Sequence, residues 1–171
     1  GMAFIPEDRR KQGLVIDSSV STNVAAVIRR GIARAGLITG AMENRAAAPW
    51  AGRLEVKTSA LDMNAATMSG GNQQKVVIAK WLATDPRLLI IDEPTRGIDV
   101  GTKAEVHRLL SELAGQGLAI LMISSELPEV LGMADRVLGL CEGRITAELD
   151  RADATPEAVM HAATHHLEDA R

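Results

Sequence analysis

The sequence contains no tyrosine, one phenylalanine, two tryptophans and a single cysteine. So few rings (Phe4, Trp50, Trp81) leave almost nothing to stack on bases, which argues against nucleic acid as a partner. One thiol, Cys141, excludes an internal disulfide and a cysteine-built zinc cluster and fits a cytosolic address. It lies in an apolar stretch, residues 137–141, where a buried, inert thiol is expected. Long hydrophobic runs are also missing: residues 88–91 and 118–123 fall far short of the roughly 18 residues of a spanning helix. The start, Met2-Ala-Phe-Ile-Pro, turns charged at Glu7 with no basic n-region before an apolar one, so no secretory signal is expected.

What is present suits a folded domain. The 171 residues are 46% hydrophobic and 24% charged, with a net charge of −3, a composition ordinary for globular proteins. The length corresponds to one domain, or one with a small appendage. Charge is unevenly divided: residues 1–57 carry nine basic and five acidic groups, residues 58–171 ten and seventeen. With so few aromatics, solvated surface is the better reading of the basic part.

Two regions separate. Residues 18–82 read mostly as helix: Ser19, Ser21 and Thr22 offer N-caps, Val24, Val27, Ile28 and Ile32 recur near the helical period, and Gly36 and Gly40 punctuate the end. Pro49 is placed to open a further helical stretch at its first position, and Leu54-Glu-Val-Lys57 alternates like a short extended piece. A last helix spans about residues 71–83, with Val77, Ile78, Trp81 and Leu82 on one face and Asp85-Pro86 as its stop.

Beyond Pro86, apolar runs at 88–91 and 118–123 read as strands buried on both faces of a parallel sheet, joined by a helix over about residues 100–114. A short helix over 126–131 and a hairpin of 136–140 with 144–149 follow, turning at Glu142-Gly143. Thr155-Pro156-Glu157 opens a closing helix to about His166.

Two segments carry chemistry. Leu88-Leu-Ile-Ile-Asp92-Glu93-Pro-Thr sets two carboxylates at the C-terminal end of a strand, where ligands bind in open α/β sheets. Asp92 suits a Mg²⁺ site and Glu93 the orientation of an attacking water; taken alone, the pair also suits a strand end that caps the turn before Pro94. Twenty-three residues before Asp92, Ser69-Gly70-Gly71-Asn72 opens a helix. A small hydroxyl and two residues without side chains allow a polyanion to approach the backbone N–H groups there, although Ser-Gly-Gly by itself is also a routine loop.

Together these segments identify a family. Met68-Ser-Gly-Gly-Asn-Gln-Gln-Lys75 and Ile90-Ile-Asp-Glu-Pro-Thr-Arg-Gly-Ile-Asp99 resemble the signature motif, Walker B strand and D-loop of ABC transporter ATPases. Ile123-Ser-Ser-Glu-Leu-Pro-Glu129 and Pro6-Glu-Asp-Arg-Arg-Lys-Gln-Gly-Leu14 resemble the second cassette of the fused two-cassette proteins that energise ribose-type monosaccharide importers. The resemblance implies an α/β fold: part of a RecA-like P-loop nucleoside triphosphatase core with a mainly parallel sheet, an α-helical subdomain, and a C-terminal hairpin and helix. It implies the divisions 1–17 (Q-loop region), 18–82 (helical subdomain) and 83–171 (distal core).

Carried onto this chain, the resemblance implies that Ser69, Gly70 and Gly71 meet the γ-phosphate of ATP held by an opposite cassette, with Asn72 beside them among the nucleotide-site residues. Asp92 would serve Mg²⁺, Glu93 the hydrolytic water, and Asp99 the interface between cassettes, where it would equally cap the helix that follows. Arg96 and Lys103 suit either interface or solvated surface. Glu7 stands at the usual Q-loop glutamine, and Ser125 at the switch histidine, which removes a titratable imidazole. No Gly-x-x-x-x-Gly-Lys-Ser/Thr occurs in the sequence, so the phosphate cradle and its lysine are missing from it. His107, His161, His165 and His166 read as surface or tail histidines.

The expectation is therefore part of a monosaccharide-importer cassette on the cytoplasmic face of the plasma membrane. Its partners would be a second cassette or another copy of itself, and membrane-spanning permease subunits met through the helical subdomain. ATP and Mg²⁺ are expected in the intact family member but not bound tightly by this chain alone. The alternative is a non-catalytic interaction module derived from a cassette; a DNA-repair or chromosome-organising ATPase is disfavoured by the Asn-Gln-Gln-Lys run and the absence of heptads.

Overall fold

A computed structural model describes residues 1–164. The chain divides into two compact units, Gly1–Ile123 and the part from Ser124 onward.

The first unit is built around one helix. Ser69 accepts from Asn72 N–H and caps α4 (Gly70–Leu82), which is buried on nearly every side: Gly71, residues 73–79 and Leu82 are all inaccessible. The expected single apolar face is thus too narrow a description, and Trp81, expected on it, is only half-buried. Val76, Val77, Ile78 and Leu82 each contribute roughly 1.5–3 kcal/mol on leaving water, but Gln73 and Lys75 are tolerable inside only because they are paired. Gln73 donates to the Ala65 carbonyl at 3.1 Å. Lys75 donates to Glu105 at 2.8 Å and to the Glu55 carbonyl at 3.3 Å.

Around α4 pack α1 (Val20–Ala25), α3 (Gly40–Arg53), a π-helical turn over Arg9–Gly13 and β1 (Met2–Ile5). Ser19 caps α1 as expected, but Ser21 and Thr22 lie inside it. The long helix expected from Val24 to Ile32 breaks instead into α1 and the single turn α2 (Arg29–Ile32). Gly40 opens α3, capped by Thr39, rather than closing a helix, and Pro49 lies within α3 rather than at its start. Pro49 has no N–H to give the carbonyl four residues back and lies on the exposed side of α3, while Glu43, Ala47 and Ala51 are buried on the other. Leu54–Lys57 forms no strand: Leu54 ends α3, its side chain buried, and Glu55 takes a positive φ of 50°.

Strands β1, β2 (Leu88–Asp92) and β3 (Ala119–Ile123) form a parallel sheet in that order. The N-terminal strand was not expected; four residues carry too short a pattern, and β1 exists because it pairs Met2–Ile5 with Leu88–Ile91. α5 (Val100–Gly115) crosses from β2 to β3, presenting Val106, Leu109, Leu110 and Leu113 to the interior as its periodicity predicted. The sheet is not buried on both faces. Ala3, Ile5, Leu89 and Ile91 lie within, whereas Met2, Phe4, Leu121 and Ile123 of the opposite face are exposed and Leu88, Ile90 and Asp92 between them are partly open. A continuous apolar run does not separate a strand with two covers from one with a single cover.

The second unit holds α6 (Leu127–Met133), an antiparallel pair β4 (Arg136–Cys141) and β5 (Arg144–Asp150), and α7 (Pro156–Thr164). The hairpin turns at Glu142-Gly143 with φ of 48° and 77°, the left-handed pair that suits the twist of a two-residue loop. Thr155 Oγ1 accepts from Ala158 N–H, and Pro156 opens α7 as expected. Gly139 is where α7 comes close: a Cβ there would stand 2.5 Å from that of Ala162. Cys141 is free and half-buried rather than buried. His165 and His166 lie outside the described residues. Among the described residues no helix is long and apolar enough to cross a membrane.

Buried Asn23 fixes the entry to α1. Its amide donates to the carbonyls of Val15 (3.0 Å) and Ser19 (2.9 Å) and accepts from Val15 N–H at 2.8 Å. Asn23→Ala strands these groups and is expected to cost about 2–3 kcal/mol of stability in denaturant unfolding; an unchanged midpoint would show that water replaces them.

Candidate functional site

The residues singled out in the sequence fall into two clusters in the first unit and one position in the second. The first cluster forms at the N-terminus of α4. Ser69 Oγ accepts the side-chain amide of Asn72 at 3.0 Å as well as its backbone N–H, and Asn72 Oδ1 accepts Lys57 N–H at 2.8 Å. Ser69 is exposed, and the first-turn N–H groups of Gly70 and Gly71 have no intrahelical acceptor by helix geometry.

The two glycines serve packing as well as access. A Cβ at Gly71 would stand 1.9 Å from Thr102 Cγ2, and one at Gly70 would stand 2.7 Å from an Arg9 guanidinium nitrogen. The expectation that absent side chains simply leave room for a ligand is therefore incomplete. That space is used by α5 on one side and by Arg9 on the other.

Thr102 links this cluster to Asp99. The Asp99 carboxylate accepts Thr102 N–H at 2.9 Å and its hydroxyl at 2.7 Å, capping α5. Those bonds to Thr102, side chain first, hold its pKa below the ordinary carboxylate value. Glu105, one turn further, is lowered as well, chiefly by its hydrogen bonds from Lys75 and then Lys57. Glu7, exposed, forms an ion pair with Arg96, so Arg96 is neither a bare surface charge nor, within this chain, an unengaged interface group. Lys103 is half-buried on α5.

The second cluster is Asp92 with Glu93, half-buried at the end of β2. Asp92 lies opposite Ile123 in register, on the same side of the sheet as Leu88 and Ile90. Glu93 has a φ of 48° and donates its N–H to the Ile123 carbonyl at 2.8 Å. A non-glycine residue in the left-handed region costs about 1 kcal/mol or more, so β3 holds Glu93 where the strand would not leave it. Among the described residues no group of three or more His, Cys, Asp or Glu forms a metal cage. The hard oxygens of Asp92 and Glu93 suit Mg²⁺ only as an ion sharing its shell with phosphates and water.

Ser125 is exposed in the turn before α6, while its neighbour Ser124 hydrogen-bonds the buried Glu129 carboxylate and accepts Glu126 N–H at 3.1 Å. Sequence reasoning missed Arg9 and Thr102. Neither sits in a periodic pattern, and Arg9 meets its partners across 87 and 88 positions of chain; a glycine pair too tight for any Cβ was the one available hint of Thr102.

The fold is that of an ATP-binding cassette. It superposes with a TM-score of 0.71 on the dimeric, post-hydrolysis cassette MJ0796 bound to ADP and Pi, at 21% identity, covering 88% of this chain and 62% of that one. It matches cbiO1 from Clostridium perfringens, part of the complex cbiONQ, with a TM-score of 0.73 at 22% identity, covering 93% and 61%. Residues 3–96 match the ABC transporter family model, and the chain belongs to that family. It is 62% identical over 164 residues to the ribose import ATP-binding protein RbsA 1 of Streptomyces coelicolor, covering 96% of this chain and 32% of that protein. To the ribose import ATP-binding protein RbsA of Rhodococcus jostii it is 57% identical, covering 96% and 33%. The chain thus spans about a third of the length of these curated relatives.

Gly71→Ala is expected to destabilise the chain by about 1–3 kcal/mol, and Thr102→Ser, which removes the methyl group in the way, to recover part of it; unfolding of the single and double variants checks this. Asp99 and Glu105 have folded pKa values below their ordinary 3.8 and 4.5. Their stabilisation is complete above those values and is lost as pH falls through the lower folded ones. Acid unfolding of the Asp99→Asn, Glu105→Gln double variant is therefore expected to show a shallower loss of stability below about pH 4 than the wild type; parallel curves would contradict this.

Proposed function

We propose that the chain is the C-terminal portion of an ATPase cassette that energises import of a monosaccharide such as ribose. The observation that carries this reading is the placement of Ser69-Gly70-Gly71 at the open N-terminus of a thirteen-residue buried helix, in a chain so similar to ribose import ATP-binding proteins. The sequence lacks a phosphate loop of its own. Its contribution is then to a composite site: the amides of Gly70 and Gly71 and the hydroxyl of Ser69 receive the γ-phosphate of ATP held by an opposite cassette, aided by the helix dipole. Asn72 orients Ser69 for that contact.

At the end of β2, Asp92 would hold Mg²⁺ through water, and Glu93 would orient the attacking water and accept its proton. Bound Mg²⁺ supplies neutralisation of the phosphate charge. Asp99 would face the opposite cassette while capping α5. Glu7 takes the Q-loop position as one half of an ion pair, and Ser125 supplies no imidazole at the switch position. We assign residues 1–17 and 83–171 to the core and 18–82 to the subdomain that meets permease subunits, on the cytoplasmic face of the plasma membrane. The opposite cassette is a second cassette or another copy of this chain, and the open apolar sheet face supports such association.

Alone, the chain is expected to show negligible ATP hydrolysis and no micromolar binding of Mg·ATP by titration calorimetry. Mixed with a family cassette that carries a phosphate loop, it is expected to raise ATPase activity about tenfold or more, and Ser69→Arg to abolish the gain. Micromolar Mg·ATP affinity that Asp92→Asn removes would overturn the first expectation. A folded chain that binds the cassette without raising its activity would favour the non-catalytic module.

A further inference from the structure

The π-helical turn at Arg9–Gly13 lies along α4 and is fixed to it at its far end. Lys80 donates to the Gly13 carbonyl at 2.8 Å, and a Cβ on Gly13 would already stand 3.0 Å from Val77. At its near end Asp8 accepts the N–H groups of Arg10 and Lys11, both at 3.1 Å. Held at both ends, the turn sends the Arg9 side chain across the face of Gly70. There the guanidinium donates to the carbonyls of Arg96 at 2.9 Å and Gly97 at 3.2 Å. Its Nε is buried without a partner and partial burial lowers its pKa, so the group is partly desolvated while its outer nitrogens engage those two carbonyls. Beside it, Glu7 pairs with Arg96.

Three segments distant in sequence thus meet at one fork: the 7–9 segment, the first residue of α4, and the 96–97 turn that leads to Asp99. The geometry points to Arg9 as a positioning residue that sets the Arg96–Asp99 turn against the glycine end of α4, so that displacement of Gly70 is passed to Asp99. A planar fork bridges two adjacent carbonyls at once, which an ammonium does not reproduce. Gly70 is the sensing point because the guanidinium occupies the place of its side chain. The functional meaning rests on the composite-site reading above: a phosphate drawing on the α4 amides would shift Gly70 and, through Arg9, the segment that faces the opposite cassette. The mechanical link does not need nucleotide.

Hydrogen exchange on the full 171-residue chain without nucleotide tests it. Arg9→Ala is expected to speed exchange at least about tenfold at the amides of Ile98, which donates to the Thr95 carbonyl, and Thr102, which donates to Asp99, with β2 and β3 unchanged. If Arg9→Ala loosens the whole chain, Arg9→Lys, which keeps stem and charge, becomes the deciding variant and is expected to speed the same two amides. Gly70→Ala, by pushing the fork aside, should do likewise in the wild-type background and add nothing where Arg9 is already substituted. A role confined to fold support would leave the two substitutions additive. Additive effects, or no change at Ile98 and Thr102, overturn the proposal. Coupled exchange in a chain that fails to stimulate a cassette overturns only the composite-site reading. Where stimulation is present, Arg9→Lys is expected to lower kcat about tenfold with the KM for ATP unchanged, and a rise in KM alone would overturn the positioning role.

Discussion

The nearly complete burial of α4 is the constraint on which the first unit depends. A helix inaccessible on so many sides must be surrounded, and α1, α3, the Arg9–Gly13 turn, β1 and α5 each lie against it. Because the helix also carries Gln73 and Lys75 inward, its surroundings have to supply hydrogen-bond acceptors as well as apolar surface. Ala65, Glu55 and Glu105 do so. The pairing helps hold the path from Leu54 to Ser69, whose one regular piece is the 3-10 turn Ala65–Thr67: the Glu55 and Ala65 carbonyls accept from α4, and those of Leu61 and Met63 accept from the start of α1.

The same burial places the exposed chemistry at the helix end. The first turn of α4 emerges at one end, with Ser69 at the tip and two glycines shaped by neighbours from elsewhere in the chain. The 96–99 turn sits there because Asp99 caps α5 while Thr102 presses on Gly71 and Arg9 spans Gly70. A capping interaction, a steric limit and a guanidinium fork thus work on one small region. The carboxylates of Asp92 and Glu93 depend on a separate support, the end of β3, whose Ile123 carbonyl receives the Glu93 amide.

Reading the sequence reached the elements whose cause is local. Asp99 as a cap for α5, the left-handed pair Glu142-Gly143, and Thr155-Pro156 at the head of α7 are each decided by two or three neighbouring residues, and all were found. The failures were non-local. β1 exists because β2 offers it hydrogen bonds. The helix expected through Ile32 breaks although its periodicity continues, and Pro49 rides inside α3 because tertiary packing offsets one missing bond. Of the candidate site, Ser69 to Asn72, Asp92, Glu93 and Asp99 were legible as motif residues, whereas the roles of Arg9 and Thr102 were not.

The sequence by itself determined the caps of α1, α5 and α7, the runs that form β2 to β5, and which family the chain belongs to, since capping, periodicity and motif spacing act over short stretches of chain. Tertiary structure alone decided that the sheet keeps one face open, that Glu7 engages Arg96, and that Arg9 reaches two carbonyls beside Gly70. Those outcomes depend on which surfaces remain uncovered and which distant backbone groups remain unpaired once the chain has closed on α4, and no local pattern records either.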